Sequence, residues 1–155
     1  MFLKKKVLFF LALLLMTLSL NAKEPTYNIN YIINDAESFI ETTAKSKLGK
    51  KYVWGGNGPF AYDCSGFTKE VFELNGIEIP RNSWRQAEVG KKVSKKNLKK
   101  GDLIFFNSKH HKGVNHVGIY LGHGKFIHAS RFHHRIVISP LREYRRFFKW
   151  GRRLV

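Results

Sequence analysis

Cysteine is nearly absent. The single Cys64 excludes an intramolecular disulfide and every zinc or iron–sulfur site built from several cysteines. Acidic residues are also scarce. Asp+Glu 11 against Lys+Arg 28 gives a formal charge of +17, which excludes an acidic tail and points to an anionic partner or surface. With Pro 4 and Gly 13, a collagen-like or low-complexity chain is excluded. No apolar run reaches the roughly 20 residues that span a bilayer as a helix. What is present, 43% hydrophobic and 14% aromatic residues in 155, suffices for one globular domain and no more.

The first residues read as an address. Lys4, Lys5 and Lys6 precede an uncharged stretch from Val7 to Leu20, and Leu20-Asn21-Ala22 supplies a small residue for cleavage. That is the order of a secretory signal peptide, residues 1–22, with an uncleaved membrane anchor as the other reading. Cleavage after Ala22 removes three Lys and no acid from the +17, leaving +14. Residues 23–33 read as a short polar linker and 34–155 as the domain. Export places one unpaired thiol in an oxidising compartment, as a small buried hydrophobe or as a nucleophile.

Along the domain, Asn34 or Asp35 can cap a first helix carrying Ala36, Phe39, Ile40, Thr43, Ala44 and Leu48, with Gly49 beyond its end. Residues 50–60 read as a loop. A second helix begins at Asp63-Cys64 and ends at Gly76, and a short one covers 84–89 after Arg81-Asn82-Ser83. Residues 91–100, with six Lys, read as a solvated basic stretch. Strands follow at 103–106, 116–121, 125–130 and 135–139, the middle two joined by a hairpin turn at Gly122-His123-Gly124. Helices followed by a strand meander predict an α+β domain with an antiparallel sheet. Trp54, Phe67, Phe72, Phe105 and Phe106 read as packing. Trp84 is placed to line a groove.

Asp63 suits the N-cap, which sets Cys64 in the first helical turn, where free N–H groups and the helix dipole favour thiolate. A cysteine nucleophile needs a base. Of seven His, only His116 and His128 interrupt apolar strands; His110, His111, His133 and His134 lie in polar stretches. A two-residue turn at His123-Gly124 would set His128 opposite Ile119 and turn His116 to the other face. If the two are partners, a bulge must restore a shared face. A metal site is the competing reading of the histidines; no HExxH motif and few nearby acids speak against it.

Taken together, Leu48-Gly49, Tyr52-Val53-Trp54-Gly55-Gly56, Asp63-Cys64-Ser65-Gly66-Phe67, Gly76-Ile77-Glu78-Ile79-Pro80-Arg81, residues 101–106, His116 to Gly122 and Phe126 to Ser130 resemble the NlpC family of bacterial cell-wall peptidases, a papain-like superfamily. The resemblance implies a papain-like α+β fold, N-terminal helices packed on a central antiparallel sheet. It implies Cys64 as nucleophile, His116 as general base and His128 as the residue orienting it. Tyr52 and the Cys64 N–H would form the oxyanion site, and Asp63, Ser65 and Arg81 would belong to the substrate pocket. It further implies cleavage of peptidoglycan stem peptides, typically between the D-glutamyl γ-carboxyl and the diamino acid.

One block departs from the resemblance. Some members carry Arg-Asp-Ser, whose Asp binds a free N-terminal amine; here Asn82 carries no charge. That favours a stem peptide still attached to glycan. The basic runs 91–100 and Arg142, Arg145, Arg146, Lys149, Arg152, Arg153 are either solvated surface or a binding face for anionic envelope polymers. No cofactor, metal or nucleic acid is expected, although basic patches with Phe147, Phe148 and Trp150 have the composition for the last. A monomer located in periplasm, wall or medium is expected. An amidase cutting the muramoyl–alanine bond and a silent wall-binding protein are the alternatives.

Overall fold

A computed structural model describes residues 29–108 and 111–155. The expected signal peptide, the first part of the linker and His110 lie outside the described residues. The first helix, α1 (Ile29–Lys45), starts before the expected cap, so Asn34 and Asp35 are inside it and residues 29–33 are helical rather than linker. Ile40 and Ala44, one turn apart, are its buried contacts; Phe39 is 63% exposed. Helix α2 (Cys64–Glu73) buries Phe67, Val71 and Phe72, and α3 (Ser83–Gln86) is a single turn.

The strands are β1 (Lys51–Tyr52), β2 (Ala61–Tyr62), β3 (Lys91–Val93), β4 (Leu103–Ser108), β5 (His111–Gly122), β6 (Lys125–Ser130), β7 (Arg135–Pro140) and β8 (Phe148–Arg153). They form one sheet in the order β2-β1-β7-β6-β5-β4-β8-β3. Only β1 and β2 pair in parallel. The expected α+β class with helices on an antiparallel sheet is what forms. The sheet is larger than expected: the 50–60 loop contributes β1, residues 61–62 form β2, the lysine stretch contributes β3, β5 starts at His111 rather than 116, and the basic tail contributes β8.

Period-two alternation divides the sheet. Leu103, Phe105, Val117, Ile119, Ile127 and Ala129 meet Phe67, Val71 and Phe72 in the main core. Ile104, Phe106, Phe126 and Leu141 form a second cluster with Tyr144 and Phe148. The hairpin contains the irregularity that a shared face demands. Gly122 pairs with Lys125, but the register shifts before Tyr120, which pairs with Phe126, and Ile119 pairs with Ile127. That shift brings His116 and His128 to the same face.

Candidate active site

Local chemistry explains why Cys64 begins a helix. The Asp63 backbone is extended, and its carboxylate accepts the Gly66 N–H at 2.7 Å, satisfying one of the free donors of the first turn. The same carboxylate accepts the Gly55 N–H at 3.1 Å, and the Asp63 N–H donates to the Gly56 carbonyl at 2.9 Å. The Gly55–Gly56 turn that follows Tyr52 is thereby tied to the start of α2. A Cβ on Gly66 would collide with the Gly56 carbonyl oxygen, so the close approach requires glycine there.

Arg81 closes this junction. Its guanidinium donates to both Asp63 carboxylate oxygens (3.0 and 2.8 Å), to Ser65 Oγ (3.0 Å) and to the Gly55 and Gly56 carbonyls (2.9 and 3.1 Å). The Ser65 hydroxyl in turn donates to Asp63 at 3.1 Å. Buried Gln86 donates to the Ser65 and Pro80 carbonyls, anchoring the Arg81 segment to α2. Asp63, Ser65 and Arg81 are therefore bonded to one another at the base of Cys64.

His116 Nε2 lies 2.8 Å from His128 Nδ1, and His128 Nε2 lies 3.0 Å from Ser139 Oγ on β7. Leaving His116 Nδ1 free to accept a proton fixes the rest: His116 Nε2–H donates to His128, and His128 Nε2–H donates to Ser139. The Phe126 ring stacks on His128 at 4.5 Å, and Tyr144 and Phe106 pack around the pair. Gly118 makes the approach possible, since a Cβ there would come within 2.8 Å of the Ile127 carbonyl and 3.1 Å of the His128 Cβ.

Cys64 and His116 open into one cleft of about 550 Å³. Tyr52, Trp54 and Arg131 border it, with Asn107, Ser108, His111 and Asn115 from the β4–β5 hairpin and Phe106, Tyr144 and Phe147. Asp63, Ser65, Arg81 and Trp84 do not line this cleft. Trp54 is 81% exposed, so the packing expected of it is corrected: its side chain stands at the cleft rim. The sequence reading did not single out Ser139, Arg131 or Tyr144. Ser139 had one visible signal, a hydroxyl on the same strand face as Val137, the residue that pairs with His128.

Burial decides the protonation states. It pushes the Cys64 thiol up to about 11, Asp63 adds to the rise, and the N–H groups of Val117, Ser65 and Cys64 pull only partly back. The expected bias toward thiolate is thus outweighed by desolvation. Burial likewise lowers His116 to about 4, and it lowers His128, with lesser contributions from His116 and His133. Burial, then the charges of Cys64 and Asp63, raise the Tyr52 phenol. Burial thus favours a neutral thiol and a neutral imidazole, both lining the one cleft. Among the described residues no group of three or more His, Cys, Asp or Glu is placed to hold a metal ion.

A cysteine at a helix N-terminus, with a histidine on the adjoining antiparallel sheet, defines a papain-like α+β domain. Within that class the chain belongs to the NlpC/P60 family, whose family model matches residues 49–151. It is 43% identical over 113 residues to a gamma-D-glutamyl-L-lysine dipeptidyl-peptidase of Bacillus cereus, covering 72% of this chain and 34% of the relative. It is 49% identical over 87 residues to a probable endopeptidase p60 of Listeria innocua, covering 56% of this chain and 18% of the relative. The chain thus spans about a third or less of these relatives. The crystal structure of an NlpC/P60 family protein from Bacillus cereus superposes with a TM-score of 0.71 at 41% identity, covering 76% of this chain and 39% of that one.

Proposed function

We propose that this protein is an exported cysteine peptidase of peptidoglycan stem peptides, cutting between the γ-carboxyl of D-glutamate and the diamino acid. The observation that carries the reading is Cys64 opening into the same cleft as His116, whose far nitrogen is held by His128, itself held by Ser139. The name of the Bacillus cereus relative supports the bond. In the reaction, His116 Nδ1 takes the thiol proton as Sγ attacks the amide carbonyl. The oxyanion is held by the Cys64 N–H and Tyr52, each such donor contributing about 10²–10³ in rate. The imidazolium protonates the departing amine and a thioester remains. His116 then takes a proton from water, and hydrolysis frees the acid and the thiol. Asp63, Ser65 and Arg81 hold the nucleophile's loop, and in this reading also meet the acyl side of the peptide.

The test is a digest of defined muropeptides and intact sacculi by residues 23–155, beside Cys64→Ala, with products read by mass spectrometry. A Cys64-dependent cut at D-Glu–diamino acid is expected; a cut at muramoyl–alanine would make the protein an amidase instead. Neutral, exposed Asn82 favours glycan-attached stems, so sacculi should be better substrates than free L-Ala-γ-D-Glu peptides. Export is checked by N-terminal sequencing of secreted protein, expected to begin at Lys23 and not at Met1. The exposed lysines of 91–100 are proposed to hold anionic envelope polymers. Retention on sacculi should then fall as salt rises, and salt-independent retention contradicts it.

A further inference from the structure

Among the described residues that line the cleft, Arg131 carries the one permanent charge, and the proposed reaction does not use it. Arg131 is exposed and lines the cleft together with Tyr52, Cys64 and His116. Among the described residues its guanidinium has no ion-pair partner. Arg81, the other guanidinium near the nucleophile, is engaged by five protein acceptors. Among the described residues no Asp or Glu lines the cleft, and Asp63, the acid next to the thiol in sequence, is taken by Arg81, Gly55 and Gly66.

The turn carrying Arg131 is fixed to the site. The His133 N–H donates to Ser130 Oγ at 3.2 Å, and the Tyr52 N–H donates to the His134 carbonyl at 2.9 Å. The strand that brings Tyr52 into the cleft therefore also positions Arg131. The guanidinium is near enough to Tyr52 to oppose the upward shift of its phenol. A guanidinium without a partner in an acid-free cleft suits a planar anion, which it can grip with two parallel hydrogen bonds.

We propose that Arg131 binds a free carboxylate of the substrate beside the scissile bond and sets a preference for peptides that carry one. The inference rests on the stem-peptide reading. Two groups offer that chemistry: the α-carboxylate of γ-linked D-glutamate on the acyl side, and the side-chain carboxylate of diaminopimelate on the amine side. Amidation to D-isoglutamine removes the first, and lysine in place of diaminopimelate removes the second.

Four peptides combining these choices are cleaved by the unaltered protein, Arg131→Gln and Arg131→Lys. Arg131→Gln should lower kcat/KM by about 10–100-fold, chiefly through KM, wherever the contacted carboxylate is present. The loss should shrink to about threefold or less where it is absent, and Arg131→Lys should recover part of it. A loss that vanishes with D-isoglutamine assigns the glutamyl carboxylate; one that vanishes with lysine assigns the diaminopimelate. Equal loss on all four peptides, or on none, overturns the proposal. Calorimetric binding to Cys64→Ala and Cys64→Ala/Arg131→Gln separates it from the activity itself. If the unaltered protein cleaves no peptide, the stem-peptide reading fails. Tighter binding of carboxylate-bearing peptides to the form retaining Arg131 still supports the receptor, and equal or absent binding to both forms overturns it.

Discussion

Burial keeps the Cys64 thiol and the His116 imidazole neutral, and this sets how each should respond to pH. With His116 lowered to about 4, the base stays available until the solution is acidic, so kcat/KM should fall only as pH drops through about 4. With Cys64 raised to about 11, alkylation by iodoacetamide should keep accelerating above pH 9; a plateau near neutrality would show a preformed ion pair instead. Stability has a matching window. Unfolded histidine binds protons more readily than buried His116, so stability is full above about 6.5 and is lost as pH falls toward about 4. Unfolded cysteine ionises first on the alkaline side, so stability is lost again as pH rises from about 9 toward 11. Thermal unfolding across pH checks both limbs. In the proposed reaction His128 adds no fixed negative charge, so it would orient His116 more than stabilise the imidazolium. His116→Ala should lower kcat by about 10²–10⁴, Cys64→Ala should abolish turnover, and His128→Ala should lose less than either. Equal loss in all three would make the orienting residue indispensable. The histidine pair was legible because imidazoles are unexpected in apolar strands. Ser139 was not, because a serine near a strand end is ordinary, and Trp54 was not, because sequence alone does not show whether a loop aromatic turns inward.

Two junctions between elements position the chemistry. The first is the bulged β5–β6 hairpin. Its need was derivable from the turn residues and the even spacing of His116 and His128, and the register shift between Tyr120 and Gly122 supplies it. The second is the contact of α2 with the Gly55–Gly56 turn, where Gly66 leaves room for a carbonyl. Gly66→Ala should destabilise the protein by about 1–3 kcal/mol through overpacking, read as a lowered Tm with reduced activity. An unchanged Tm would mean the turn relaxes freely. The cap at Asp63 was readable because capping is local. Strands β3 and β8 were not, because their lysines and arginines look like solvated surface, and only pairing with each other and with β4 makes them strands.

Among the described residues the tail arginines of β8 and the lysines of 91–100 differ in what they touch. Arg152 donates to the Ala87 and Gly90 carbonyls, and Arg153 grips the buried Asp102 with two bonds at 2.8 Å. These tail arginines hold β8 to the rest of the domain, which narrows the sequence reading of the tail as surface charge. The lysines of 91–100 are freer, apart from Lys100 beside Glu41 and Lys92 over the Trp150 ring at 4.6 Å. Asp102 is 1% exposed and also accepts the Lys99 N–H at 2.7 Å. Asp102→Asn, which removes one partner of a largely buried ion pair, should cost about 1–3 kcal/mol, measured by denaturant unfolding. A change within about 0.5 kcal/mol would place the pair among weak surface contacts.

In the proposed reaction Cys64 becomes acylated and His116 manages the proton. Rapid acid quench of the protein with a γ-D-glutamyl peptide, followed by mass analysis of residues 52–69, tests it most directly. A transient mass increase on Cys64 equal to the acyl half of the peptide is expected, disappearing as free acid accumulates. Turnover with no adduct on Cys64, or turnover that survives Cys64→Ala, would contradict it.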